Sequence, residues 1–235
     1  MLVNRLISLV TGFVFLLSCA FCPVTRAGVI VEFNTNVGNF QVELFSLQKP
    51  ASVANFLTYV DSGTYSNSIV HRSVQNTPFT GFGIIQGGGY DTVGNTLPTL
   101  PPIADEVGIF SNLRGTLAYA NAGPNTATRQ WYLNVTDNVV FDTNYTVFGQ
   151  VIGSGMTVVD QINAFTKVNA NGVNNPNGPF GNLPVINASL PGNLIVEPSN
   201  LVVVNSITAV PEPSVGLLLL STALPVALWR YRRRR

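Results

Sequence analysis

The sequence predicts a mainly β fold in which a closed barrel is capped by two helices. Three observations point there: short β-favouring runs recur along the central part of the chain, a hairpin signal opens them, and only two stretches place apolar residues at helical spacing. Many short strands leave many open edges, and closing the sheet on itself removes them.

Residues 29–35 and 40–44 are the first two β-favouring runs. The second alternates Phe40, Val42 and Leu44 on one face, and Asn36-Val37-Gly38-Asn39 between the runs is a turn signal. After Lys49-Pro50, the apolar positions Val53, Phe56, Leu57 and Val60 fall at helical spacing, with Gly63 where that helix would end. Residues 68–74, 83–86, 115–120, 131–134, 146–151 and 201–207 are each short and apolar enough to be strands. A second helix is predicted over 155–165, where Met156, Val159 and Ile162 recur every third residue. The Asn/Gly/Pro-rich stretch 169–179 reads as a surface loop, because strand-like sequence resumes beyond it, and no internal repeat is present.

The two ends of the chain have a different character. Residues 1–27 read as a secretory signal: Arg5 comes first, then a largely apolar run, then the small-residue spacing Thr25-Arg26-Ala27 before Gly28. A competing reading is a lipoprotein signal cut before Cys19. Cys19 and Cys22 are the only cysteines, so a chain cut near Ala27 has neither a disulfide nor a thiol. At the other end, within residues 210–235, Pro211-Glu212-Pro213 leads into an apolar stretch over 215–229 and a basic end of Arg230 and Arg232 to Arg235. The stretch contains Pro225 and is shorter than the ~20 residues of a comfortable span, and its arginines belong on the cytoplasmic side. This arrangement resembles the PEP-CTERM sorting tag of bacterial envelope proteins. The resemblance implies transient membrane anchoring, recognition by an exosortase-type processing enzyme, and release to the cell surface or extracellular matrix. A simple tail anchor is the other reading.

With the ends set aside, residues 28–209 form one domain of about 180 residues with room for a substantial core. Seven of the twelve basic residues lie in the ends, leaving Lys49, Arg72, Arg114, Arg129 and Lys167 against ten acidic residues. The domain is therefore acidic although the whole chain carries a formal +1, which argues against nucleic acid as a partner. In so sparsely charged a domain Arg72 stands out, because it follows the only histidine, His71, and lies upstream of Gln86-Gly87-Gly88-Gly89.

The order Asn55-Phe56, Tyr65, His71-Arg72, Gln86-Gly87-Gly88, Ala120-Asn121-Ala122-Gly123-Pro124-Asn125-Thr126, Gln130-Trp131-Tyr132 and Val147-Phe148-Gly149 is similar to that of cyclophilins, over about residues 29–207. The resemblance implies an eight-stranded antiparallel barrel with two capping helices and peptidyl-prolyl cis-trans isomerase activity on proline-containing polypeptides, and the sequence gives no sign of a cofactor. It casts Arg72 as the catalytic donor, Gln86 as the group that orients it, and Asn121 as the residue that aligns the substrate chain. Ala120 and Gln130 would line the groove. Ile84, Tyr132 and Phe141 would form the proline pocket, with Phe82 nearby and Tyr145 at the rim.

The reaction suits such residues on physical grounds. Amide rotation faces a barrier of ~18 to 20 kcal/mol, and an X-Pro bond keeps the barrier while losing most of its trans preference. No bond breaks, so a catalyst needs only an apolar seat for the proline ring and a fixed donor where charge redistributes in the twisted state. Arginine supplies a planar fork that stays charged at any relevant pH.

Several positions depart from the family pattern. Gly83 stands where an aromatic is usual, and Phe82 precedes it, so either a bulge returns the ring to the pocket or the pocket is wider. Tyr132 replaces phenylalanine and adds a hydroxyl that needs a partner if buried. The segment between Val74 and Gly83 is longer than the family's.

Other chemistry finds less support. His71 reads as a packed structural histidine, no Gly-x-Ser-x-Gly context supports a Ser-His-Asp triad, and one histidine with scattered carboxylates makes a poor metal site. The run Gly87-Gly88-Gly89 lacks the lysine and following helix of a phosphate loop and reads as tight packing. Two function classes follow: an exported isomerase, or a non-catalytic surface module that binds proline-containing segments. Val140 stands where the family often has tryptophan or phenylalanine, so cyclosporin-type ligands are predicted to bind weakly. A titration giving a tight complex would contradict this.

Overall fold

The structure, a computed structural model, describes residues 28–171, 178–186 and 198–211. The export signal and, beyond Val210 and Pro211, the sorting tail expected above lie outside these residues. Among the described residues no helix is long and apolar enough to cross a membrane.

Strands β1 (Val29–Thr35) and β2 (Gly38–Leu44) pair antiparallel through the two-residue turn Asn36-Val37. The second strand begins earlier than its alternation suggests because Gly38 closes the turn at φ 137°, a conformation that favours glycine. Alternation puts Val31 and Phe33 of β1 and Phe40, Val42 and Leu44 of β2 inside, where the opposed rings of Phe33 and Phe40 stack at 4.7 Å.

Helix α1 (Pro50–Asp61) follows, opened by a proline at a position whose N–H has no intrahelical partner anyway. Its buried face carries Val53, Phe56, Tyr59 and Val60. Lys49 provides no side-chain cap; the capping is done from afar by Glu106, whose Oε2 accepts from Ser52 N at 2.8 Å and Ser52 Oγ at 2.7 Å. This places a carboxylate at the positive end of the helix and satisfies a donor that the helix leaves open. Lys49 is buried beside it and donates to the carbonyls of Glu106 and, at 2.6 Å, Gly108. Burial pulls the Lys49 pKa down, and the Glu106 charge opposes that pull.

The remaining strands are β3 (Ser68–Ile69), β4 (Arg72–Val74), β5 (Ile84–Gly87), β6 (Thr116–Tyr119), β7 (Trp131–Asn134), β8 (Val147–Ile152), β9 (Thr166–Val168), β10 (Leu183–Val185) and β11 (Val203–Ala209), with helix α2 (Met156–Ala164) between β8 and β9. Among the described residues, nine of the strands form one antiparallel sheet in the order β3-β11-β1-β2-β8-β6-β7-β5-β4. Its two edge strands, β3 and β4, are consecutive in the chain. Val70 N donates to Val202 O and His71 N to Gln86 O, each at 3.0 Å, so the segment passes from one edge of the curled sheet to the other within two residues. The eight strands expected become nine because this one predicted strand is broken where it changes partners.

Helix α2 packs on β2, β4 and β5, and α1 packs on β11. The two-stranded sheet of β9 and β10 was not anticipated: each strand is three residues long and β10 contains Pro184, so neither shows a period. Leu183 and Val185 of β10 join Ile69 and Leu201 in a small core of their own.

The main core fills the curl of the sheet with aromatic rings. Trp131 stands edge-on to Phe33 at 5.2 Å, Tyr119 stacks on Phe148 at 4.4 Å, and Phe56 of α1 reaches Phe148 at 5.3 Å. The glycine run makes room for the indole: a Cβ on Gly87 would lie 2.5 Å from Trp131 Cζ2. The substitution Gly87→Ala is therefore expected to destabilise by about 1–3 kcal/mol through overpacking, measured by chemical denaturation. Unchanged stability would contradict this account of the run.

Candidate functional site

The site arises from the strand alternation on one wall of the sheet. Arg72, Gln86, Tyr132 and Ala118 are register partners across β4, β5, β7 and β6, and in the neighbouring row Ser73, Ile85, Leu133 and Leu117 are partners. Successive residues of a strand face opposite ways. Ile85, Leu133 and Leu117 accordingly belong to the main core, while Tyr132 and Ala118 join Val74, Ile84 and Val147 in a second cluster on the other face. Phe82, Ala120, Phe141 and Tyr145 pack against this second cluster, half-buried.

The rings form a continuous apolar seat. Tyr132 meets Phe141 at 6.1 Å and Tyr145 at 5.8 Å, Phe141 meets Tyr145 at 5.2 Å, and Phe82 meets Phe141 at 5.2 Å. Phe82 thus reaches the cluster from just ahead of β5, whose pairing with β4 and β7 is regular. Gly83 has no room for a ring: its Cβ would lie 2.8 Å from Val135 Cγ2. The aromatic is displaced by one residue and its ring is retained.

Arg72 stands over one side of this seat, half-buried, with its guanidinium carbon 5.9 Å from the Phe82 ring centre. Its Nη1 donates to Gln86 Oε1 at 3.3 Å, and Gln86 Nε2 donates to Gln130 Oε1 at 2.8 Å. Burial lowers the Arg72 pKa and Tyr145 opposes it, but a guanidinium remains charged throughout. Among the described residues this is the one hydrogen bond its five donors make, so most of the fork is available to a ligand.

Ala120 and Gln130 are joined by the bond from Ala120 N to Gln130 O at 3.0 Å. Asn121 lies beyond them on a loop, and its Nδ2 donates to Asn144 O at 2.8 Å beside Tyr145. It also lines a groove of about 600 Å³ shared with Asp105, Pro124 and Tyr145. The structure therefore links Arg72, Gln86, Gln130, Ala120, Phe82, Ile84, Tyr132, Phe141 and Tyr145 by direct contact, and puts Asn121 at their border.

Sequence reasoning missed the polar layer beneath the seat. The Tyr132 hydroxyl donates to Asn112 Oδ1 at 2.6 Å, which supplies the partner that its burial requires. Burial is also what pushes the Tyr132 pKa far up, with Tyr145 and Asp142 adding to it. Asn112 is held by Asp142, which accepts from its backbone N at 2.7 Å. Asn138 grips Gly83 from both sides, accepting from Gly83 N at 3.1 Å and donating to Gly83 O at 2.8 Å, and it donates to Asn134 Oδ1 at 2.6 Å. Asn134 is fully buried, and its Nδ2 donates to Thr116 Oγ1 at 2.8 Å. In an asparagine-rich chain nothing marks these positions beforehand.

Among the described residues no three His, Cys, Asp or Glu side chains gather to hold a metal ion. The Gly87-Gly88-Gly89 run wraps Trp131, Gln130 and His71, as the packing reading expects.

The family model for cyclophilin-type peptidyl-prolyl cis-trans isomerases matches residues 30–180. A peptidyl-prolyl cis-trans isomerase of Acinetobacter baylyi is 41% identical over 143 residues, which cover 58% of this chain and 72% of that protein. Peptidyl-prolyl cis-trans isomerase A of Dickeya dadantii is 35% identical over 174 residues, covering 71% of this chain and 83% of the relative. In fold, the chain is similar to the crystal structure of a cyclophilin-type isomerase of Cryptosporidium parvum, with a TM-score of 0.55 and 24% identity over 79% of this chain and 99% of that one.

His71 sits behind the site, 2% exposed, with its ring edge-on to Tyr90 at 5.0 Å. Burial first and the adjacent Arg72 charge second lower its pKa from 6.5 to about 3. An unfolded chain protonates this ring below pH 6.5 and the folded chain does not until about pH 3. Its contribution is thus complete above pH 6.5 and is lost as pH falls through that window, by up to about 1.4 kcal/mol per pH unit. Denaturation at pH 7 and pH 5 should show a shallower pH dependence for His71→Gln than for the unsubstituted protein. Equal dependence would contradict the assignment.

Proposed function

The chain belongs to the cyclophilin-type peptidyl-prolyl cis-trans isomerase family, and we propose that it is an exported member acting on proline-containing polypeptides in the bacterial envelope, at the cell surface or in the extracellular matrix. The family relationship carries the activity. The site geometry supports the assignment of roles, above all by standing a largely unengaged arginine over an aromatic seat.

In this mechanism the proline ring rests on Ile84, Tyr132 and Phe141, with Phe82 and Tyr145 as walls. Such a seat holds one side of the X-Pro bond while the other turns, and it keeps water from the twisting amide. Arg72 donates where the twisted amide localises charge. Gln86 fixes the fork in place and Gln130 fixes Gln86, so the donor is set before the substrate arrives and needs no reorganisation at the barrier. Asn121, Ala120 and Gln130 receive the flanking chain along the groove.

Export is supported by the signal-like residues 1–27, and sorting by the resemblance of residues 210–235 to a PEP-CTERM tag. On this reading an exosortase-type enzyme is the processing partner, and the terminal apolar run anchors the protein in the inner membrane until it is cut.

Isomerisation of a proline tetrapeptide by the purified protein tests the catalytic assignment. Arg72→Ala should lower the rate by about two orders of magnitude, and Arg72→Lys should restore little because a single ammonium does not reproduce the fork. Equal rates for the parent and Arg72→Ala would sink the role given to Arg72. A fully inactive parent that still binds the peptide would favour the non-catalytic module.

A further inference from the structure

We propose that the loop between β4 and β5 is a docking surface for extended apolar segments of unfolded polypeptide, with Phe79 as its anchor. This rests on the isomerase reading and extends it from the proline to the chain around it.

The observation is an aromatic that the fold does not use. Phe79 is 99% exposed, the most exposed of the large apolar side chains among the described residues. It is held out by an ordered turn: Thr80 N donates to Thr77 O at 3.2 Å, Gly81 N to Thr77 O at 2.9 Å, and Thr77 N to Thr80 Oγ1 at 2.8 Å. Pro78 occupies the second position of this turn, where its fixed φ favours the bend. Gln75 Nε2 then ties the base of the loop to Asn163 O of α2 at 3.2 Å. At this exposure the ring packs on nothing in the fold.

The surroundings indicate the partner. Phe79 stands three residues ahead of Phe82, which packs on Phe141 of the proline seat at 5.2 Å. Val139 and Val140, 61% and 67% exposed, immediately precede Phe141 on the other side of that contact. Exposed apolar residues therefore lead away from the seat along both segments that meet there. Neither residues 75–82 nor residues 138–141 carry a charge. Phe79, Val139 and Val140 are exposed apolar side chains within three residues of the seat's own rings, on segments whose nearest charges in the sequence beyond Arg72 are Asp137 and Asp142, and this fits a chain already threaded through the seat with apolar side chains near its proline. An aromatic presented rigidly at an interface loses little side-chain entropy on binding, which suits an anchor.

The test uses Phe79→Ser in the full chain, with Leu47→Ser as a control at another exposed apolar side chain, 69% exposed, in the turn ahead of α1. Three measurements are compared: isomerisation of a short proline tetrapeptide, acceleration of a proline-limited refolding reaction, and binding to reduced, carboxymethylated α-lactalbumin, which stays unfolded. Phe79→Ser should leave the tetrapeptide rate within about twofold while refolding catalysis and lactalbumin affinity each fall about five- to tenfold. Leu47→Ser should change none of the three. Unchanged refolding catalysis and binding in Phe79→Ser would overturn the proposal, as would an equal fall in Leu47→Ser. Sedimentation that shows Phe79-dependent self-association with unchanged lactalbumin binding would also overturn it, giving the surface to a second copy. A parent inactive on the tetrapeptide would defeat the isomerase reading alone, because Phe79-dependent lactalbumin binding would still support the docking surface.

Discussion

Everything at the site depends on how the curled sheet closes. The run through β3 and β4 leaves β11 and joins β5 between Val70 and His71, and that crossing sets the register of the wall that follows. Because Arg72 is opposite Gln86, and Gln86 opposite Tyr132, the proposed donor, its orienting amide and the floor of the proposed seat share one row. A slip of one residue would turn Ser73 outward and send Arg72 into the aromatic core, where an unpaired charge is costly. The buried His71 holds the crossing from the inside, and Gly89 lets the ring fit, since a Cβ there would lie 3.0 Å from His71 Cε1.

The seat depends on a polar layer in much the same way. Tyr132 is buried with its hydroxyl satisfied by Asn112, and Asn112 is fixed by Asp142, which directly follows Phe141. Tyr132 and Phe141, two rings of the proposed seat, are therefore tied through one asparagine. Asn138 makes the same kind of link between Gly83 and β7, which explains how Phe82 keeps its place although the position after it admits no side chain. Networks of this kind fix geometry when every member is satisfied.

Much of this was legible in the sequence, for physical reasons. The hairpin and both helices announce themselves by period, and β7 and β8 by short apolar runs. Arg72 stands out because charge is scarce in the domain, while Gln86 is picked out by the ordered motifs that resemble those of cyclophilins. What stayed hidden is non-local. Glu106 caps α1 from 54 residues away, so no motif at the helix start records it. Asn112 and Asn138 look like loop residues, and Asn134 like the end of a strand, until the fold buries them. For the displaced aromatic the sequence allows a bulge or a wider pocket; the contact of Phe82 with Phe141 from ahead of β5, and the lack of space at Gly83, show that the ring is supplied from outside the strand.

The central claim is that Arg72 works because Gln86, held by Gln130, presents it over the proline seat. Exchange NMR on a proline peptide, comparing the parent with Gln86→Leu, tests this most directly, since leucine keeps the volume and removes both hydrogen bonds of the relay. The account predicts that cis-trans exchange slows by about tenfold or more while the peptide's affinity changes little, as expected when an interaction acts mainly at the barrier. Exchange at the parental rate in a folded Gln86→Leu protein would contradict it.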